Sequence, residues 1–483
     1  MLLVLVLLLA QAKADLAPRL KRAQEYFDAG RFREALPLCA ELVKANPGNA
    51  HLLANLGIAE HMTGDHRAAE QSLRSALKLD SNLYAANLYL GLAEISLGRP
   101  ATAIRPLEKA LELQPTNAEL RQLLAGAFYD AGMYDRACDE FRQLTWADPS
   151  SARAWYALGR TWSALAGVAY GQLLSLVTPD SAYALAVQAD GLMRRQQFRR
   201  ALVILREALG KDPDLVTARA ALAGIYQSAG HPDWAAKEQQ LVATLDCSTH
   251  AIECELTATH YEAVLERTQV ERTPAALFWR AQAYTGLAYQ AFAKLEQLPA
   301  SVELHRFRAG VHYEAGRRAQ VVEELRRALD LAPQDRGLRR DLAMALGAAS
   351  DYPAAYQLAL ELLRDDPGSP ELNALAGDAL LNSQKPREAL AFLKRSVAAD
   401  PHNLVTRASL GRAYMQTGAV KLALPHLEAA IAADKDGSLH YQLARAYNET
   451  GQTELAREAM AKYQELSAKA ARPAEPEITA PEF

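Results

Sequence analysis

The chain has 483 residues, with 53 Lys and Arg against 57 Asp and Glu, and a net charge of −4 is too small to argue for nucleic acid or for an acidic surface. Half of the residues are apolar but only 7% are aromatic, as in closely packed helices, and no stretch shifts to the alternating runs of strands. The length would hold about three ordinary domains, so the absence of any change in pattern along it points to repetition.

Met1 is followed by the apolar run LLVLVLLLA, too short to span a bilayer. It is similar to the core of a secretory signal peptide, with Ala12-Lys13-Ala14 as a small-x-small cleavage site before Asp15. Residues 1–14 are therefore expected to be a signal peptide and the protein to be periplasmic or secreted. The alternative is a cytoplasmic chain that keeps the apolar start as a cap on its first helix.

From 15 to 151 one pattern recurs four times with a period near 34 residues. A small residue comes first, then a large apolar residue, a mid-unit Gly, an Ala and a closing Pro. Gly91, Gly98, Ala103 and Pro115 form one copy; Ala125, Phe128, Gly132, Ala137 and Pro149 form the next. Apolar residues keep helical spacing in both halves of a copy, as in Leu56 and Gly57 followed by Ala69, Leu73 and Ala76. The first small position is Gly or Ala throughout: Ala23, Gly57, Gly91, Ala125, Ala189, Ala223, Ala309, Ala343, Gly377, Gly411 and Ala444. Small residues there let two helices approach closely. Gly30, Gly64, Gly98, Gly132, Gly230, Gly316, Gly418 and Gly451 suit a left-handed helix end. Pro100, Pro232 and Pro386 suit the first turn of the helix that follows. A coiled coil needs a seven-residue repeat without Gly at fixed intervals and is excluded.

Two stretches break the period in the same way. Residues 152–181 begin as a copy with Trp155, Leu158, Gly159 and Trp162 but close early at Pro179; residues 274–301 carry Tyr284, Leu287, Phe292 and Leu295 before Pro299. Each is read as a short helical unit whose second helix lacks about a turn. Two full copies follow each, so the blocks are 152–249 and 274–369. Aligning Pro213 with Pro333 gives a super-period of 120, an internal duplication.

Between the blocks, 250–273 is a helical linker next to the densest side-chain chemistry in the chain: Cys247, His250, Cys254 and His260. Six residues separate the cysteines, wider than paired structural-zinc ligands. A Cys247–Cys254 disulfide fits the spacing best, with unpaired thiols or a metal site as the alternatives; no metal or cofactor is expected. Cys39 and Cys138, on second helices, read as core residues. Three further copies fill 370–470, and the Pro- and Glu-rich tail 471–483 has the composition of a disordered segment.

Period and signature together resemble the tetratricopeptide repeat. The resemblance implies an all-α, right-handed superhelical solenoid of helix–turn–helix repeats, and a protein or peptide partner held in its concave groove. In that family the first helices line the groove. Carrying over the inward positions gives Tyr156, Arg160, Tyr183, Asp190 and Met193; then Phe278, Arg306, Tyr313 and Arg340; then Asp378, Arg412, Tyr441, Arg445 and Asn448. Aromatic residues beside Arg suit a peptide hot spot. The family's carboxylate clamp does not carry over, since of its positions only Asn55 matches, against Leu20, Gln24, Ala85 and Tyr89.

No Gly-rich phosphate loop, H-E-x-x-H, G-x-S-x-G or C-x-x-C occurs, so a non-catalytic scaffold is expected. His61, Asp65 and His66 bracket a turn and read as exposed polar groups. The run Arg194, Arg195, Arg199, Arg200 and Arg206 reads as a solvated face rather than a phosphate site, and no nucleic-acid partner or membrane span in the mature chain is expected.

Overall fold

The computed structural model describes residues 17–470; the leader expected at 1–14 and the tail at 471–483 lie outside the described residues. Among the described residues the regular structure is helical, without strands. It forms two compact units.

The first unit holds the described chain up to Ser175 together with Glu255–Leu298. Its helix pairs are α1 (17–28) with α2 (Phe32–Ala45), α3 (Ala50–Met62) with α4 (His66–Leu79), α5 (Tyr84–Ser96) with α6 (Pro100–Leu113), and α7 (Ala118–Asp130) with α8 (Tyr134–Ala147). The 23-residue α9 (Ala152–Leu174) follows. The second unit holds Leu176–Cys254 and the chain from Pro299 onward. It begins with α10 (Ala182–Arg194), α11 (Phe198–Lys211), α12 (Val216–Ser228) and α13 (Pro232–Ala243). Within α14 (Ala251–Thr257) the chain passes back to the first unit, which gains α15 (Tyr261–Thr268) and the 23-residue α16 (Pro274–Glu296). The rest of the second unit is α17 (Val302–Glu314), α18 (Arg318–Leu331), α19 (Arg336–Ala348), α20 (Tyr352–Asp365), α21 (Pro370–Asn382), α22 (Pro386–Ala399), α23 (Leu404–Gln416), α24 (Val420–Ala430), α25 (Ser438–Glu449) and α26 (Thr453–Ala470).

Local chemistry starts and stops these helices at fixed points. Asn49, Asn117, Ser301, Asp335, Ser369 and Asn403 cap first helices by accepting hydrogen bonds from free backbone N–H groups, each worth about 1 kcal/mol. First helices end on a left-handed residue: Gly64 has φ +95°, and the next amide, Asp65 N, donates to Glu60 O at 2.9 Å. Gln196, Ser350 and Gln384 hold the same conformation at φ 59°, 65° and 61° without glycine's freedom. Thr259 does so at 61° between α14 and α15, so the linker segment contains the same turn in shortened form.

Within a pair, the small residue sets the distance. A carbon added to Gly57 would lie 2.5 Å from Leu73 Cγ, and at Gly91 it would lie 2.4 Å from Leu107 Cδ2. Both leucines are fully buried. A second device recurs at the closing turn. The side chain six residues on reaches back to that turn's carbonyl: Arg121 to Pro115 O, Trp155 to Pro149 O, Arg219 to Pro213 O, Arg339 to Pro333 O, Asn373 to Pro367 O and Arg407 to Pro401 O, at 2.8–3.1 Å. These bonds satisfy carbonyls that no helix uses.

The two period-breaking stretches differ from expectation. Neither is a pair with a shortened second helix; each contains one unbroken long helix. The reason is visible in α9, whose buried residues 158, 162, 165, 166, 169 and 173 keep one helical face with no left-handed residue or second cap between them. α9 and α16 then pack on each other, the most extensive helix pairing in the molecule. Leu158, Trp162 and Leu165 share a core with Leu287, Ala288 and Ala291. Trp162 stacks on Tyr284 at 5.6 Å, and a carbon on Gly159 would lie 2.6 Å from the Phe292 ring. Moving back from 162 to 159 thus moves forward from 284 to 292, so the helices run antiparallel.

Gly159→Val is expected to destabilise the first unit by ~1–3 kcal/mol through overpacking, read as an earlier denaturant midpoint in that unit's transition. Gln384→Gly is expected to raise the stability of the second unit by ~0.5–1 kcal/mol by relieving the left-handed strain, read in the same way.

Candidate interaction face

First helices of successive pairs touch, α3 with α5, α19 with α21, α21 with α23 and α23 with α25, whereas no two second helices make a comparable contact among the described residues. Within each unit the row of first helices is therefore the inner side of the curve.

In the second unit this inner row is laced by ion pairs between neighbouring first helices. Arg306 of α17 lies 3.8 Å from Asp341 of α19 and 3.7 Å from Asp335; Arg340 of α19 lies 2.9 Å from Glu371 of α21; and Asp378 of α21 lies 3.7 Å from Arg412 of α23. Arg445 pairs within α25 with Glu449 at 3.8 Å. Such partly exposed pairs contribute little stability each, but they neutralise the arginines of this inner row. Burial pushes the Asp378 carboxyl up, against the opposing effects of Ser409 and Arg412. Asp341 is also raised by burial, with Arg306 opposing.

Apolar groups stand between the charges. Tyr313 is 73% exposed, Val405 66%, Met344 46% and Tyr441 40%, the last packed at 5.4 Å against Tyr463. Asn448 is exposed on α25. On α10, Tyr183 and Met193 are half-buried; burial, then the Asp212 and Glu253 carboxylates, pushes the Tyr183 phenol up. Asp190 is raised by burial and pairs with Arg194 at 3.2 Å.

In the first unit Arg160 and Tyr156 do come together. The Arg160 guanidinium lies 4.7 Å from the centre of the Tyr129 ring and 5.7 Å from that of Tyr156, and donates to Tyr129 Oη at 3.2 Å. Phe278 must be removed from the groove. It is fully buried beside Trp279, within a run of α16, Ala276–Trp279, that is buried at every residue. The position was carried over from the repeat frame, but α16 is not the first helix of a helix–turn–helix pair.

The repeat frame overlooked Glu371, Asp341 and Tyr129, the partners that hold the groove arginines, and the exposed Met344 and Val405. Spacing contained a signal for some of them: Arg340 and Glu371, and Arg160 and Tyr129, are each 31 residues apart, slightly less than one repeat.

Cys247 and Cys254 form a disulfide with Cα atoms 5.7 Å apart. That bond uses two of the four donors a tetrahedral metal site would need. His250 Nδ1 is 2.8 Å from Thr249 Oγ1, and His260 Nδ1 is 2.8 Å from Glu255. The His61 and His66 Nδ1 atoms are 3.2 Å apart, while Asp65 is occupied in capping α4 through Ala68 N. No group of three or more metal-ligating side chains is assembled among the described residues, and no described helix is long and apolar enough to cross a membrane. Cys39 and Cys138 are buried, and burial pushes their thiols up to about 11 and about 12.

Tetratricopeptide-repeat family models match residues 20–83, 63–118 and 340–403, residues 94–161 and 380–442, and residues 437–469, together more than half of the chain. The chain belongs to the tetratricopeptide-repeat family. Among curated proteins it is similar to the Protein CTR9 homolog of Arabidopsis thaliana, 26% identical over 176 residues that make up 34% of this chain and 16% of that protein. It is also similar to BBSome complex member BBS4 of Bos taurus, 29% identical over 139 residues, 28% of this chain and 26% of that protein. The alignments thus span only a minor part of either relative's length. Solved structures with similar repeats include YrrB, described as a TPR protein with an unusual peptide-binding site, at 21% identity, 44% of this chain, 94% of that chain and a TM-score of 0.30. MamA from Desulfovibrio magneticus RS-1 matches at 20% identity, 35% of this chain, 97% of that chain and a TM-score of 0.32. The first TPR of Spaghetti (RPAP3), bound to an HSP90 peptide, matches at 24% identity, 24% of this chain, 95% of that chain and a TM-score of 0.23.

Two measurements check this chemistry. With thiols raised this far, the folded protein is expected to give no reaction with an aromatic disulfide reagent near pH 8; unfolding without reductant should release the Cys39 and Cys138 thiols alone, and reduction the other pair. The Asp378 carboxyl is raised in the folded state, so its contribution is most favourable at low pH and declines as pH rises through the raised value. Asp378→Asn is therefore expected to shift the thermal midpoint more favourably at pH 7 than at pH 4; an equal shift at both would contradict that sign.

Proposed function

We propose that the protein is a non-catalytic scaffold that holds a peptide or protein segment along its rows of first helices. The observation that carries this reading is the inner row of the second unit, where Tyr313, Met344, Val405 and Tyr441 stand exposed among arginines already held in place by carboxylates. Exposed aromatic and apolar groups on pre-positioned helices supply contact area at small entropic cost, and fixed charges set register more than affinity. The family adds support, because repeats of this kind offer an extended concave surface.

The compartment we propose is the cell envelope or the exterior, with residues 1–14 removed as a leader. The Cys247–Cys254 disulfide supports it, since such bonds persist in oxidising compartments. Intact mass of the protein made with its leader in a bacterial host should then begin at Asp15 and be two protons light. A full-length mass with four free thiols would favour the alternative, a cytoplasmic regulatory protein.

The scaffold reading is tested by placing a photo-reactive phenylalanine analogue at Tyr313 or Tyr441 in cells. Both positions are expected to capture the same discrete partner, while Leu79, exposed on a second helix, captures none. Identical smears from all three positions would sink the reading.

A further inference from the structure

The groove arginines fall into two classes. In the second unit Arg306, Arg340, Arg412 and Arg445 each have a carboxylate within 4.0 Å. In the first unit Arg160 has none among the described residues; its guanidinium is held instead by aromatic rings and one phenol oxygen. Arg153 stands seven residues earlier on α9, exposed and also without an ion pair among the described residues. Seven residues are two helical turns, about 10 Å, so Arg153, Tyr156 and Arg160 form one stripe along α9. The acidic groups in the adjacent part of the row, Glu119 and Asp130 of α7, form no ion pair with either arginine.

We propose that this stripe is the receptor for acidic side chains of the partner segment. The inference rests on the scaffold reading and names the chemistry of its ligand: an acidic peptide, with a carboxylate on Arg160 and a second on Arg153. Three physical points favour it. Cation–π contacts with Tyr129 and Tyr156 hold the guanidinium without spending its charge, leaving N–H donors for a carboxylate. The two charges on this stripe are not cancelled by the fold, so electrostatic complementarity selects a negative ligand. The distance of about 10 Å between them matches acids three residues apart on a polyproline-II peptide, where every third side chain returns to the same face.

The test uses the full chain and an array of immobilised random dodecapeptides. Captured peptides are expected to be enriched in Asp and Glu over the array's composition. A captured acidic peptide should lose about tenfold in affinity with Arg160→Gln, as expected for one charge-assisted contact, and a comparable amount with Arg153→Gln. Arg160→Lys should recover part of the loss, because charge returns without the planar fork. Arg326→Gln, which removes an arginine of the second helix α18 already paired with Asp351, should leave capture unchanged. Circular dichroism spectra and thermal midpoints matching the parent protein keep folding out of the comparison. Capture without acidic enrichment, or acidic capture untouched by the α9 variants, overturns this inference and leaves the scaffold reading standing. No capture at all overturns both.

Discussion

The structure depends on the close approach of two helix backbones at a single small residue in each pair. Where Gly57 or Gly91 faces Leu73 or Leu107, no room remains for even a methyl group unless the leucine moves. Fixing that distance fixes the crossing of the pair, because side-chain ridges can then interlock in few ways. Each buried leucine contributes ~1.5–3 kcal/mol, so stability accumulates pair by pair and no distant contact is needed to hold a repeat in place. The same requirement leaves its mark on the long helices. Gly159 admits the Phe292 ring and Gly286 admits the ring of Tyr261, so α9, α15 and α16 close against each other by the same small-against-large logic without forming a helix–turn–helix pair.

Once the pairs are closed, the remaining polar groups are divided between structure and surface. Closing-turn carbonyls are taken by the side chain six residues on, and buried acids on second helices are met from the first: Glu238 by Arg219 at 2.9 Å and Glu324 by His305 at 2.7 Å. A buried acid left without such a partner would cost several kcal/mol, which explains why these positions are filled in pairs. The run of arginines near 200 belongs partly to this internal group: Arg194 pairs with Asp190 and Glu314, and Arg206 meets Tyr226 Oη. On the inner row of the second unit the ladder of ion pairs does the same for surface charge. The α9 stripe departs from this rule, and an arginine that the fold leaves electrostatically unspent is one whose charge is available to something else.

Much of this was legible in the sequence. Small residues at a fixed interval, the mid-unit glycines and the closing prolines are local signals, and each acts within one repeat. Three of the turns lacked glycine, yet Gln196, Ser350 and Gln384 adopt the left-handed conformation there. Spacing favoured the disulfide over free thiols or a metal site without deciding among them. What spacing did not reveal was that α9 and α16 are continuous, that they pair with each other, and that the chain leaves the first unit at Ser175 and returns at Glu255. Those are contacts between residues more than a hundred apart, and a repeat frame describes only neighbours. Phe278 was misplaced for that reason, and Asp341 and Glu371, which hold Arg306 and Arg340, went unseen because each sits on the next helix of the row.

The two long helices resemble one another in sequence as well as in length. Aligned start to start, Ala152 on Pro274, α9 and α16 stand 122 residues apart, two more than Pro213 and Pro333, which puts Trp162 on Tyr284, Leu165 on Leu287, Ala166 on Ala288, Ala169 on Ala291 and Leu173 on Leu295. Trp162 and Tyr284, equivalent by that alignment, are the residues that stack. Two antiparallel copies of one helix that meet at an equivalent residue are related by a local two-fold axis, the geometry of an isologous contact between identical partners. A face complementary to itself needs no separate partner surface. The second unit contains a matching case of its own, in which Arg194 pairs with Glu314, 120 residues on and therefore in the corresponding place of the second block. The two helices that break the repeat frame therefore hold one another, and α9, fixed on that side by α16, presents its Arg153–Tyr156–Arg160 stripe from a firmly packed helix of the first unit.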